Sequence, residues 1–127
     1  MQKLIPCLWF NGRVEEALDF YTSIFKNARK KDITYYGPDM PMPEGEILTA
    51  ELELEGQEFM ILNGGPHFVP NEAISFVINC KDQEEIDHYW DSLTSNGGRE
   101  SECGWLVDPY GISWQVTPAE FADLMKT

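Results

Sequence analysis

Polar and apolar positions along this chain follow two different periods, and the switches between them mark out its elements. Leu4 to Phe10 and Ala73 to Cys80 are short apolar runs with polar or turn residues at their ends, which predicts a strand in each. The period then lengthens. Val14, Ala17, Leu18, Tyr21, Ile24 and Phe25 recur at helical spacing, as do Ile86, Tyr89, Trp90 and Leu93, so each strand feeds an amphipathic helix. Glu15–Glu16 and Glu84–Glu85 fall in the first helical turns, where carboxylates favour the positive end of the helix dipole. That placement predicts helix starters, not catalytic acids. Alternation returns from Thr49 to Glu55, and Gly56 ahead of Gln57 to Leu62 predicts a hairpin. Gly104 to Val107, then Asp108-Pro109-Tyr110-Gly111, then Ile112 to Thr117 predict another, with Gly111 where the turn needs a positive φ.

The two series are copies of each other. Glu15, Glu16, Phe20, Tyr21, Ser23 and Ile24 recur in order as Glu84, Glu85, Tyr89, Trp90, Ser92 and Leu93, at a constant offset of 69, while Gly56 aligns on Gly111 at an offset of 55. An internal duplication settles architecture ahead of any single motif. It predicts an α+β fold in which one domain holds two tandem β-α-β-β-β modules, residues 1–66 and 67–117. The difference between the two offsets makes the first copy the longer one. Its extra length falls in a stretch from Tyr35 to Glu46, whose three prolines and two glycines predict a loop. Such a loop can close over a ligand, meet a partner or be merely disordered. Thr117-Pro118-Ala119-Glu120 carries the cap, the first-position proline and the third-position acid of a helix start, so a short helix, Pro118 to Met125, is expected within a C-terminal segment of residues 118–127.

Composition narrows the partners. With 127 residues and 43% hydrophobic content the chain can bury a core without a disulfide or metal staple. Nine Lys and Arg against 22 Asp and Glu give a net charge of −13, which repels phosphate backbones and anionic bilayers and argues against nucleic acid. No apolar run approaches the roughly 20 residues of a membrane span, and Met1 to Cys7 lacks a signal-peptide core, so the expectation is a cytoplasmic protein with no membrane partner. Cys7, Cys80 and Cys103 lack C-x-x-C spacing and predict buried thiols in a reducing compartment.

The tandem units, with the helix entry and the D-P-x-G hairpin in these places, resemble the vicinal oxygen chelate superfamily of glyoxalases, extradiol dioxygenases and bleomycin-resistance proteins over nearly the whole chain. Cys103-Gly104-Trp105-Leu106-Val107-Asp108-Pro109-Tyr110-Gly111-Ile112-Ser113-Trp114-Gln115-Val116 resembles the C-G-W-L-x-D-x-x-G-x-S-W-Q-aliphatic signature of its PhnB-like subfamily, also labelled demethylubiquinone methyltransferase-like. Leu8 to Gly12, the helix through Phe20-Tyr21, and Ile74 to Cys80 resemble that subfamily's other segments. The residues do not support methyl transfer. A typical S-adenosylmethionine site uses a strand, a Gly-rich turn and a helix N-terminus in a parallel α/β sheet, and Gly64-Gly65 and Gly97-Gly98 do not follow that pattern.

The resemblance implies metal ligands at two equivalent positions of each repeat, early on the first strand and on the last strand after the hairpin. Carried over by the helix entry and its offset, the first-strand positions are Pro6 and Ser75; carried over by the D-P-x-G turn and its offset, the last-strand positions are Gln115 and Met60. This set offers no imidazole, carboxylate or thiolate, so neither a metal nor another cofactor is expected. Cys7 is expected to point away from the face of Pro6. His67 and His88 read as a linker residue and a surface helix residue. Counting by twos adds Leu8, Phe10, Leu62, Val77 and Ser113 to the face of Pro6, Met60, Ser75 and Gln115. The lining is apolar with a few polar groups, the make-up of a small-molecule pocket and equally of a filled core. Glu51, Glu53 and Glu55 read as a solvated strand face. No catalytic set is identifiable. The expectation is a metal-free protein that binds a small molecule, as a homodimer whose paired repeats the resemblance implies. The alternatives are a metal-dependent isomerase or lyase with ligands elsewhere, and a dimeric domain with a vestigial cavity.

Overall fold

Each repeat closes its own four-stranded sheet. The computed structural model describes residues 2–119 and divides into two units, Met1–Val69 and Pro70–Thr127. The first unit runs β1 (Cys7–Phe10), α1 (Val14–Ile24), β2 (Ala28–Tyr35), β3 (Ile47–Leu54) and β4 (Gln57–Asn63). Its sheet order is β1-β4-β3-β2, with β1 parallel to β4 and the other pairs antiparallel. α1 packs on β2 and β3 and buries Val14, Ala17, Leu18, Tyr21 and Ile24, the positions its periodicity marks. Beneath it Ala50, Leu52, Leu54, Phe59 and Ile61 form the core. Fully burying a side chain such as Leu52 or Ile61 contributes about 1.5–3 kcal/mol. No side chain caps α1, whose N-cap Arg13 is left-handed at φ 59, but Glu15 and Glu16 stand in its first turn as expected.

Two turns of this unit depend on backbone that few residues adopt. Leu54 pairs with Gln57 across Glu55–Gly56, at φ 49 and 83, the two-residue turn with both central φ angles positive. Glu55 is held there by Asn27, whose N–H donates to Glu55 Oε2 at 2.7 Å and whose carbonyl accepts from Glu55 N at 2.7 Å. The Tyr35 to Glu46 stretch is a loop beyond Tyr35, which ends β2, and it is pinned at its base. Tyr36 N donates to the Glu46 carbonyl at 2.8 Å and Gly45 N to the Tyr36 carbonyl at 2.9 Å, so the stretch is the tip of a β2–β3 hairpin. The buried Tyr36 hydroxyl donates to the Asn63 carbonyl. Part of the extra length goes into strand, since β2 has eight residues where its counterpart has two.

The second unit repeats the topology: β5 (Ser75–Cys80), α2 (Gln83–Leu93), β6 (Arg99–Glu100), β7 (Trp105–Val107) and β8 (Ser113–Pro118), in the order β5-β8-β7-β6. Asp82 caps α2 by accepting from Glu85 N at 2.9 Å, and Glu85 reaches back to Lys81 N at 3.1 Å, a reciprocal arrangement of the capping-box kind. The D-P-x-G turn is organised by the buried Asp108. Its Oδ1 accepts from Tyr110 N at 2.9 Å and Ile112 N at 3.1 Å, and its Oδ2 accepts from Trp114 Nε1 at 2.9 Å. The expected final helix lies outside the described residues apart from its first two positions, and Pro118 itself ends β8. Among the described residues no helix is long and apolar enough to cross a membrane.

The expectation of buried thiols holds for Cys80 alone. Burial, reinforced by Glu85 and Asp82, pushes that thiol up to about 11. Cys7 and Cys103 are exposed. The pleat turns Cys7 off the helix-covered face, and Cys103 sits at φ 36 in the turn before β7. Partial burial also raises the Cys7 thiol. A thiol titration of native protein at pH 8 therefore shows Cys103 reacting first, Cys7 next and Cys80 only on unfolding. Prompt labelling of Cys80 in the folded chain would contradict this packing.

Candidate functional site: the helix-free sheet faces

Residues paired across neighbouring strands project from the same side of a sheet, so the registers sort the predicted site residues. In the first unit Cys7 pairs with Met60, Leu8 with Ile61, Trp9 with Leu62 and Phe10 with Asn63. Cys7, Trp9, Met60 and Leu62 therefore share the face away from α1. Leu8 and Phe10 belong to the opposite, core face, where Phe10 is 4% exposed. Pro6 alternates with Leu8 and meets Met60 through its backbone, its carbonyl accepting from Met60 N at 2.9 Å.

The expectation that Pro6, Leu8 and Phe10 line one face with Met60 and Leu62 is thus corrected, and so is the exclusion of Cys7 from it. The cause is one residue. Three residues, 11–13, separate β1 from α1, whereas two, 81–82, separate β5 from α2. The helix starts, Val14 and Gln83, keep the offset of 69, but the strand residues Cys7 and Val77, which pair with Met60 and Gln115, stand at an offset of 70. An offset taken from the helix slips the strand by one position and turns every side chain over. On the strand offset, the counterpart of Ser75 is Ile5.

The helix-free face of the first unit is partly covered, and two of its acids are paired with cations. Trp9 Nε1 donates to the Gly65 carbonyl at 2.9 Å and its ring meets Phe68 edge-on at 4.8 Å, so the segment after β4 folds across the indole. Glu51 and Glu53 are half-buried on this face, not a solvated strand face, and Glu55 lies in the turn. Glu53 lies 3.7 Å from Arg29 and Glu58 lies 2.7 Å from Lys31. The Lys31 ammonium holds the Glu58 carboxyl below the usual carboxylate range, and Glu58 raises the Lys31 ammonium in return. Acids so engaged are poor general bases.

In the second unit the predicted residues do come together. Ser75 pairs with Ser113 and Val77 with Gln115, so all four project from the face away from α2. Gln115 Nε2 donates to Ser75 Oγ at 2.9 Å. The sequence reading missed Trp105 and Val107, which pair with Gln115 and Ser113 on the same face. Counting back through the hairpin register would have found both. Phe76 and Trp114, 5.4 Å apart, lie on the opposite face.

The positions where the resemblance implies metal ligands do not fit a divalent ion. With the corrected register they are Ile5, Met60, Ser75 and Gln115, offering hydrocarbon, thioether, hydroxyl and amide. Among the described residues no group of three or more His, Cys, Asp or Glu side chains is placed to hold a metal ion. His67 and His88 are both exposed, His88 with its ring 5.0 Å from that of Tyr89. Sequence reasoning also missed a cleft of about 280 Å³ at the start of α1, lined in part by Gly12, Arg13, Tyr35, Glu46 and Asn63. Asn63, 2% exposed, closes its floor by accepting from Gly12 N at 2.8 Å and donating to the Ile47 carbonyl at 3.0 Å.

The family model described as 3-demethylubiquinone-9 3-methyltransferase matches residues 2–117. The PhnB protein of Bacillus cereus is 35% identical, with a TM-score of 0.85, covering 93% of this chain and 100% of its own. The fosfomycin resistance protein FosX of Listeria monocytogenes, at 16% identity and a TM-score of 0.68, covers 99% of this chain and 98% of its own. A glyoxalase/bleomycin resistance protein of Albidiferax ferrireducens, at 14% identity and a TM-score of 0.58, covers 87% and 92%. The last two share the fold. No curated protein sequence matches the chain.

Proposed function

Since the chain belongs to the PhnB-like family described as 3-demethylubiquinone-9 3-methyltransferase, with the glyoxalase/bleomycin resistance fold, we propose that it binds a small molecule without a resident metal. One observation carries the reading. The helix-free face of the second unit brings Ser75, Val77, Ser113 and Gln115 into register with Trp105, a set of neutral hydrogen-bonding groups beside apolar ones. Such a mixture orients a ligand by a few polar contacts and holds it by burial. On the first unit Met60, Leu62 and Trp9 are apolar neighbours on a face that also carries Glu51, Glu53 and Glu58. The reading includes a homodimer, which rests on the superfamily resemblance.

Methyl transfer, the reaction in the family's description, finds no support in these residues. Each sheet has one parallel strand pair, and the β1–α1 connection, Asn11-Gly12-Arg13, holds a single glycine. A methyl-donor nucleotide site of the parallel α/β type needs a parallel sheet and a Gly-rich turn.

Thermal shift against a broad panel of metabolites and antibiotics tests the proposal, with a rise in melting temperature expected for at least one uncharged apolar or aromatic compound. Elemental analysis of protein purified without chelators tests the metal-free part. Less than a tenth of an equivalent of any divalent ion is expected, and a stoichiometric ion that survives dialysis would overturn it.

A further inference from the structure

Ser113 Oγ is buried and, among the described residues, is the buried side-chain polar atom with no hydrogen-bond partner. Ser113 is 1% exposed, so an acceptor, whether water or a ligand oxygen, reaches its hydroxyl only when a neighbouring side chain moves aside. A hydroxyl so placed destabilises the fold, and buried polar groups are nearly always satisfied. Its surroundings indicate what would satisfy it. Ser75 lies directly across β5, and because Ser75 Oγ accepts the Gln115 amide, its own proton is left to donate. Two hydroxyl donors therefore stand side by side. The next row along the strands is Val77, Gln115 and Trp105, and Val77 is 53% exposed, an apolar surface left open beside the hydroxyls.

Charge decides between kinds of acceptor. Among the described residues, the one cation in register on this face is Arg99, across Val107 on the edge strand β6, and its guanidinium lies 3.6 Å from the Glu72 carboxylate. The chain as a whole carries −13. An anion would meet an already paired arginine and a repulsive field. Resting on the small-molecule reading above, we propose that the row Ser75–Ser113 is a hydrogen-bonding subsite for an uncharged acceptor oxygen, a carbonyl or amide, on a ligand whose apolar body lies over Val77 and Trp105.

Three matched probes separate this inference from the reading it rests on: acetophenone (neutral acceptor), benzoate (anionic acceptor) and ethylbenzene (no acceptor). Binding to the full ¹⁵N-labelled chain is followed through the amides of Ser75, Val77 and Ser113, the Gln115 side-chain amide and the Trp105 indole. Acetophenone is expected to shift all of these and to bind tightest of the three. Ser113→Ala weakens it about five- to tenfold, Ser75→Ala does likewise, and neither changes ethylbenzene. Without ligand, Ser113→Ala melts about 3 °C higher because the orphan is gone, which shows that the variant is folded. Tighter binding of benzoate, or acetophenone affinity unchanged in both serine variants, overturns the subsite while leaving small-molecule binding in place. Should none of the probes, ethylbenzene included, move the Val77 and Trp105 signals, the binding face itself is refuted along with the subsite.

Discussion

Asp108→Ala lowers the free energy of unfolding by about 4 kcal/mol, the largest single loss expected outside the apolar core. Its carboxylate receives two backbone N–H groups of its own turn and the indole N–H of Trp114, which is 3% exposed. Alanine leaves these donors facing a void where water has little access, and each unpaired buried donor costs about 1–3 kcal/mol. Asp108→Asn is the sharper variant. An amide keeps the shape, but on the Trp114 side it puts a donor against a donor or else turns one toward the backbone N–H groups, so most of the loss persists. Urea unfolding of the three proteins, with the slope held common, gives the comparison. Recovery of wild-type stability by asparagine would mean that shape, and not acceptor capacity, organises the turn.

Gly98→Ala is the second large effect, and Gly97→Ala beside it is the control. A Cβ on Gly98 would fall 2.4 Å from the Leu93 carbonyl oxygen and 2.9 Å from Thr94 Cα, both main-chain atoms at the end of α2 that have nowhere to go. The cost is about 3 kcal/mol or more, with α2 levered away from its own C-terminus. Gly97 has nothing within 4 Å but sits at φ +107, so alanine there costs about 1–2 kcal/mol through backbone strain alone. The same unfolding assay ranks the two. Equal losses would show that the chain end relaxes and that the close approach is not enforced.

The adjacent glycines illustrate how far the sequence could be read. Gly-Gly at 64–65 and 97–98 marks breaks in regular structure, and breaks are what the structure has there. Which of each pair is fixed by conformation and which by contact depends on what packs against it. Gly65 and Gly97 have positive φ, whereas a Cβ on Gly64 would fall 2.2 Å from the Trp9 ring and one on Gly98 would meet α2. Element type was legible because periods of 2 and 3.6 are local properties of the chain. The duplication was legible through the acids, aromatics and serines that keep their places on α1 and α2.

Facing was harder to read. In the second unit alternation puts Ser75, Val77, Ser113 and Gln115 on one face, and β5 and β8 pair in the register that alternation assumes. In the first unit alternation alone does not tell the side of Leu8 and Phe10, since residues of β1 and β4 are brought level by the intervening helix and hairpin and not by any local pattern. Cys7 and Cys103 could not be told from Cys80 by residue type, because exposure here follows from pleat and turn geometry. The role of Asn63, bridging Gly12 and Ile47, left no trace in the alternation of β4.

The extra residue between β1 and α1 bears on how such duplicated chains can be edited. What a strand offers to a ligand is encoded as much in the length of the connection after it as in its own side chains. Counted back from the helix start at the spacing of the second copy, Leu8 and Phe10 fall where Cys7 and Trp9 stand on the helix-free side. The two halves therefore cannot be averaged into one consensus repeat, and a side chain moved from the helix-free side of β5 to β1 at the helical spacing would arrive in the core.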